Sequence, residues 1–401
     1  MERVRIGIVG VGNIATLNVP GYLAHESCDV VALCDPRADV LERRAREWQV
    51  DRTYSELGSL LADPDIDAVE ILGPTPLHAE HVIAAARAGK HVSVQKPIAN
   101  TVSDGRRMVQ AAADAGVIFR VTEQACYYPP LRKARDLIAS GIIGDPTVVR
   151  IKTVVGRTES EFQANLDPAG YSWRFNNQSP GGHLFDDVMH KYAMALWLVD
   201  EQVRSVQAVV RQGPLFFEAP TVALWEYARH DLLGMMEVSY APDMFIRSDY
   251  YGADEFFEIQ GTRGFVWVTR LCGNLHVDLP PLVLYEEDGR QSSFAELDAS
   301  YDGSFRQAAA GFVDGILAGE TPDLSPQKGI EALQLAFAVY QASNERRAVD
   351  PNEIEESVTP TGWPPTEQKM RHDVEELFRR EAARSERLGG SSSERPGGTM
   401  G

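Results

Sequence analysis

The first third of the chain alternates two patterns of apolar residues. Short, nearly continuous apolar runs occur at VRIGIVG, CDVVALCD, IDAVEILG, KHVSVQKP and GVIFRVTE. Between them lie segments such as RADVLERRAREW and LHAEHVIAAARAG, where apolar positions recur at helical spacing. Unbroken β-branched runs predict strands buried on both faces, and the helical period predicts the elements that cover them. The alternation predicts a doubly wound α/β domain with a parallel sheet over residues 1–124. Gly89 is placed to end the helix before the fourth run. Pro20 and Gly21 fall inside the first helical segment, where proline is expected to kink or end it.

Beyond PPLRKARDLIASGIIG the pattern changes. PTVVRIKTVVG, VRSVQAVVR, TVALWEYA, LLGMMEVSYA, DEFFEIQG and RGFVWVTR read as strands joined by short turns, which predicts a mainly antiparallel sheet. One long helix is expected from His183 to Val199, and two more near 304–318 and 325–346. The second domain is assigned to 125–384. The Gly/Ser-rich end, RLGGSSSERPGGTMG, predicts a disordered tail over 385–401.

Composition narrows the function. A chain of 401 residues can bury two full cores. Its net charge of -19 argues against nucleic acid and against an anionic membrane surface as partners. No stretch approaches the ~18 apolar residues of a membrane span. The four cysteines show no C-x-x-C pair, and MERVRIGIVG runs straight into a strand with no signal-peptide core. A cytoplasmic protein with reduced thiols is expected.

The first strand leads into Gly10-Val11-Gly12-Asn13-Ile14-Ala15, a G-x-G-x-x-A turn. Gly10 permits the tight turn, Gly12 lets a pyrophosphate approach, and the helix N-terminus after Asn13 and Ile14 faces the anion. Asp35 ends the second strand, where a carboxylate can accept hydrogen bonds from the adenosine ribose. Its charge favours NAD over NADP, although Arg37 lies close by. Thr75, Pro76 and His78 follow the third run, and Gln95 and Lys96 follow the fourth. All of these fall at the carboxyl edge of the sheet, where open α/β sheets bind ligands. A lysine there can stabilise an alkoxide as hydride leaves.

GGHLFDDVMHKYAMALWLV supplies partners for that lysine. Asp186 and His190 are spaced to share a helix face, as are His183 and Asp187. A neutral histidine can take a hydroxyl proton near neutral pH, and a carboxylate one turn away can orient its ring. Gly181 and Gly182 would let a substrate approach the backbone. The four polar residues are also metal-ligand types, but no H-E-x-x-H spacing is present and no metal is expected.

These motifs together resemble the Gfo/Idh/MocA family of NAD(P)-dependent oxidoreductases. GPTPLHAEHVIAAARAGKHVSVQKPIA is similar to the family's TP-x-x-H…GKHV-x-x-EKP signature. The GGHLFDDVMH stretch is similar to its glycine-rich segment ending in aspartate and histidine. The resemblance implies a Rossmann domain joined to an α/β domain with a large open, mostly antiparallel sheet. It implies Lys96, Asp186 and His190 as the catalytic set, and a sugar or cyclitol as substrate. It also implies a homodimer or homotetramer built on the sheet. Trp173-Arg174 matches a family pair, which makes Arg174 a substrate contact alongside Tyr127, Tyr128, His183 and Asp187. Arg174, Lys191 or His183 could hold an anionic substituent. Gln95 stands where the family carries glutamate, Cys126 where it often carries arginine, and Val188 where it carries glycine. Some relatives instead hydrolyse glycosides by transient C3 oxidation, elimination, water addition and re-reduction. That route needs a further base, for which Tyr127, Tyr128, His183 and Asp187 are the candidates.

Overall fold

In the computed structural model, residues 2–390 are described, apart from 168, 169, 171, 172, 175 and 176. Six parallel strands build the first sheet: β1 (Val4–Val9), β2 (Cys28–Cys34), β3 (Thr53–Tyr54), β4 (Ala68–Ile71), β5 (His91–Gln95) and β6 (Phe119–Thr122), in the order β3-β2-β1-β4-β5-β6. Helices α1 (Ala15–Ala24), α2 (Ala38–Trp48), α3 (Leu57–Leu61), α4 (His78–Arg87) and α5 (Val102–Ala115) make the crossovers. Order reverses beside β1, so the glycine turn after β1 opens at the switch point of the sheet. β4 is buried at all four positions, as its unbroken apolar run requires.

A helix α6 (Pro129–Ala139) leads into eight further strands. They are β7 (Pro146–Arg157), β8 (Val203–Val210), β9 (Thr221–Tyr227), β10 (Leu233–Phe245), β11 (Ala253–Gly261), β12 (Phe265–Val268), β13 (Leu282–Tyr285) and β14 (Gln291–Ser293). Their order is β14-β13-β12-β11-β7-β10-β9-β8, and every neighbouring pair is antiparallel except β7 with β10. The helices of this half are α7 (Glu161–Ala164), α8 (His183–Asp186), α9 (Met189–Trp197), α10 (Tyr301–Ala318), α11 (Pro326–Glu345) and α12 (Glu367–Gly390). Among the described residues no helix is long and apolar enough to cross a membrane.

Three sequence expectations change. First, α1 runs through Pro20 without ending. Packing explains this: a Cβ on Gly21 would sit 2.7 Å from the Ala309 Cβ and 2.7 Å from the Arg306 Cα. The glycine lets α1 lie directly on α10, and that burial offsets the proline penalty of ~3 kcal/mol. Second, the helix expected over His183–Val199 is two helices. The Val188 N–H reaches five residues back to His183 O, and the Lys191 N–H reaches only three back to Val188 O. This slip in register turns α9 relative to α8. Third, residues 385–390 of the expected tail belong to α12. Ion pairs one turn apart, Arg371–Glu367, Lys369–Asp373 and Arg380–Glu376, support that helix. Residues 391–401 lie outside the described ones.

The two halves are locked by a buried polar network under α10. Glu70 on β4 accepts from Tyr22 Oη at 2.5 Å and from Thr122 Oγ1 at 2.7 Å. Arg120 on β6 donates to Ser93 Oγ at 2.9 Å, to Tyr22 Oη at 3.3 Å and to the Ala308 carbonyl of α10 at 2.6 Å. Its guanidinium also lies 4.8 Å from the Phe312 ring centroid. Arg120 is 1% exposed and Glu70 is 0% exposed, so each charge depends on the other and on these bonds. Arg120→Met should therefore lower unfolding free energy by about 3–5 kcal/mol, since it strands the Glu70 carboxylate. Urea denaturation checks this; a loss under ~1 kcal/mol would contradict the coupling.

Candidate active site

The turn after β1 is shaped by close approach. Gly10 has φ +87, and a Cβ there would lie 2.7 Å from the Gly73 backbone nitrogen. Only glycine satisfies both the dihedral and the packing. A Cβ on Gly12 would meet only Arg37 Nη2, at 3.4 Å, so this backbone is open on its outer side. Ile14 precedes α1 and no side chain caps the helix. Uncapped N–H groups beside an open glycine suit a pyrophosphate. Asp35 is held by the Val11 N–H at 3.0 Å and the Arg37 N–H at 3.0 Å. Arg37 also pairs with Asp167 at 2.6 Å, and Asn13 exchanges two hydrogen bonds with the Asp167 backbone. The donor set therefore fits a dinucleotide: glycines and a free helix start for phosphates, and a carboxylate at the end of β2 for the ribose.

Thr75 and Pro76 lie in the short turn before α4, with Thr75 buried. His78 follows and is 1% exposed. Its Nδ1 lies 2.9 Å from Pro97 O and its Nε2 lies 3.0 Å from Gly73 O. The ring thus ties the turn after β4 to the turn after β5. Two facing carbonyls would favour the imidazolium, but burial outweighs them and lowers the pKa to about 4. A positioning role follows from this packing. The Gln95 amide oxygen accepts the Lys96 N–H at 2.8 Å, closing the strand end.

Lys96 reaches across to the second domain. Its Nζ donates to the Asp186 carbonyl oxygen at 2.8 Å and lies 3.5 Å from Asp186 Oδ1. Arg174 Nε donates to Asp186 Oδ2 at 2.7 Å. Burial pushes the Asp186 carboxyl up, but Arg174 and then Lys96 outweigh it and hold it below the usual range.

Among the described residues, His190 takes its side-chain hydrogen bond from the first domain and not from Asp186. Its Nδ1 lies 2.6 Å from Glu123 Oε1. Glu123 is 1% exposed and also accepts the Ala125 N–H. A carboxylate only accepts, so the proton sits on Nδ1 and Nε2 is the basic nitrogen. Gln95 pairs with Thr122 across β5 and β6, which places Lys96 and Glu123 side by side at the sheet edge. Glu123 was missed from sequence, yet its position as the last residue of the fifth run, one past β6, could have flagged it.

Glu218 is the second residue that sequence did not reveal. It accepts from Gly182 N at 2.6 Å, Leu184 N at 3.0 Å and Tyr340 Oη at 3.0 Å, and so seats the start of α8. Gly181 and Gly182 serve protein packing, not substrate approach. A Cβ on Gly182 would meet Phe216 O, and one on Gly181 would meet the Tyr340 ring. Tyr127 is buried against Gly311 and under Arg132, and Tyr128 is 0% exposed. His183 is buried against Phe217 and lies 3.4 Å from Asp187 Oδ2. Lys191 is buried between Asp187 and Glu255, and Arg174 is committed to Asp186, so neither is an uncommitted cation for an anionic substituent.

Residues 4–123 match the model of an oxidoreductase family with an NAD-binding Rossmann fold, and residues 135–350 match the C-terminal alpha/beta domain of that family. The chain is 27% identical over 360 residues to a myo-inositol 2-dehydrogenase of Thermotoga maritima, covering 87% of this chain and 99% of that protein. A probable dehydrogenase from Thermotoga maritima has a similar structure, with a TM-score of 0.70 at 26% identity over 88% of this chain and 100% of that one. The fold is also that of levoglucosan dehydrogenase in complex with NADH and levoglucosan, with a TM-score of 0.73 at 23% identity over 87% of this chain and 99% of that one.

The His78 packing carries a pH signature. The folded pKa of about 4 lies below the ~6.5 of an unfolded histidine. Above pH ~6.5 both states are neutral and the shift has no effect. As pH falls, the unfolded chain binds a proton that the folded one refuses, so stability drops until about pH 4. Between about pH 7.5 and about pH 5 the parent should lose ~2 kcal/mol more than His78→Gln, read by urea denaturation. Equal losses would show that the ring is not held neutral.

Proposed function

The chain belongs to the Gfo/Idh/MocA family of oxidoreductases with an NAD-binding Rossmann domain, and on that premise we propose that it oxidises or reduces a hydroxyl-bearing carbon of a sugar or cyclitol. One observation supports the reading most: the Lys96–Asp186 pair and the Glu123–His190 pair stand side by side at the carboxyl edge of the sheet that also carries the glycine turn. Bound NAD supplies an electrophilic ring that can take a hydride. His190 Nε2, freed by Glu123, takes the hydroxyl proton. The Lys96 ammonium stabilises the developing alkoxide, and Asp186 aims that ammonium. Arg174 completes the anchoring of Asp186. Gly10, Gly12, Asn13, Ile14 and Asp35 hold the dinucleotide in this reading, with Thr75, Pro76 and Gln95 lining its nicotinamide end.

The hydrolytic alternative finds no support among these relatives, which carry dehydrogenase names. Its extra base is also hard to supply. Burial pushes the Tyr127 and Tyr128 hydroxyls up, and both side chains are buried. Asp187 is held well below the usual carboxylate range, which makes it a weak base.

The same reading includes a cytoplasmic homodimer or homotetramer. The outer face of the second sheet exposes Val209 on β8, Val222 and Leu224 on β9 and Leu233 on β10, each about half exposed. A contiguous apolar face of this kind marks an interface.

Incubation with NAD and a panel of free cyclitols and sugars should accumulate NADH. Lys96→Met should lower kcat by ~10²–10⁴-fold while NAD affinity stays within about threefold. Full activity in that variant would overturn the assignment of Lys96. Leu224→Arg should convert the oligomer to a monomer in light scattering; an unchanged mass would move the interface elsewhere.

A further inference from the structure

A second charged cluster lies beside the Lys96–Asp186 pair, and the proposed chemistry does not use it. Lys191 is 1% exposed; its Nζ donates to Asp187 Oδ2 at 3.1 Å and to Glu255 Oε1 at 3.0 Å. His183 Nε2 faces the same Asp187 oxygen at 3.4 Å. Glu255 Oε2 accepts the Cys272 N–H at 3.1 Å. Lys191, Glu255 and His183 are thus buried, and Lys191 and Glu255 satisfy each other.

Asp187 differs from the rest. Its side chain is 36% exposed, and Oδ1 takes no hydrogen bond among the described residues. Burial pushes its carboxyl up, but Lys191 and then His183 outweigh that, so it is ionised at any working pH. It directly follows Asp186, the residue that Lys96 and Arg174 engage. Two buried hydroxyls lie on the Glu255 side of the cluster. Tyr128 Oη and Thr153 Oγ1 have no protein hydrogen-bond partner. Thr153 pairs with Glu255 across β7 and β11, and Tyr128 feels the Glu255 charge. Orphaned hydroxyls beside a carboxylate are the groups a polyhydroxy ligand satisfies.

Charge then decides the class of ligand. Lys96, Arg174 and Lys191 face Asp186, Glu123, Asp187 and Glu255. Leaving the histidines out of the count, that is +3 against -4, or -1 overall. The exposed member is the carboxylate, not a cation. We propose that Asp187 is a substrate-recognition group: Oδ1 accepts a hydrogen bond from a hydroxyl of an uncharged polyol, and the cluster excludes sugars bearing a carboxylate or phosphate. This rests on the sugar or cyclitol reading above and names the class within it.

The test compares kcat/KM for neutral polyols and their acid forms with NAD present: glucose against glucuronate, galactose against galacturonate, and myo-inositol as a neutral ring. The parent should prefer the neutral member of each pair at least ~10-fold. Asp187→Asn should lower kcat/KM for the neutral substrate by ~10-fold or more, mainly through KM, and should narrow the preference. NAD affinity and the thermal midpoint of the variant serve as folding controls. A parent that turns over the uronate as well as the neutral sugar overturns the proposal alone, and does so whether or not the variant folds. An unchanged preference in a folded Asp187→Asn does the same. No turnover of any polyol would overturn the sugar reading and this proposal together.

Discussion

The structure depends on one buried ionic network, Glu70 with Tyr22, Thr122, Ser93 and Arg120. It crosses β4, β5 and β6 and ends on the Ala308 carbonyl of α10. Charges out of water are tolerated only with nearly every donor and acceptor matched. That requirement admits one seating of α10 on the first domain. Gly21 lets α1 meet α10 at backbone distance, and Gly311 receives the Tyr127 ring. The second half of the chain is therefore held rigidly against the first sheet, and a site can draw on both.

What the network makes possible is a meeting at the carboxyl edge. Lys96 leaves β5 and Glu123 leaves β6 at the same level. Each takes a partner from the second domain, Asp186 for the lysine and His190 for the glutamate. Those partners stand on either side of the break between α8 and α9. Glu218 beneath Gly182 and Leu184 holds the start of this segment. The Asp187–Lys191–Glu255 cluster then uses the positions next to the same break.

Much of this was legible beforehand. The five apolar runs and their helical spacers specified the parallel sheet, because burial on both faces leaves no polar alternation. The glycine turn, Asp35 and the strand-end lysine followed from where an open parallel sheet binds ligands. The resemblance to the Gfo/Idh/MocA family carried the substrate class. Helical spacing did not show that Asp186 and His190 would take separate partners, since those partners come from the other domain. Proline in α1 misled for a similar reason: its penalty is local, while the burial that offsets it comes from α10.

The sequence alone determined the order of elements, the glycines at the turn and the presence of a lysine, acids and histidines in two distant segments. Those follow from local periodicity, dihedral limits and side-chain chemistry, which act within a few residues. Only the tertiary structure decided which acid serves which base. Glu123 and His190 are 67 positions apart, and Lys96 and Asp186 are 90 apart. Partners at such separations are chosen by packing of the whole fold, where the cost of a buried unpaired charge selects the one arrangement that satisfies them all.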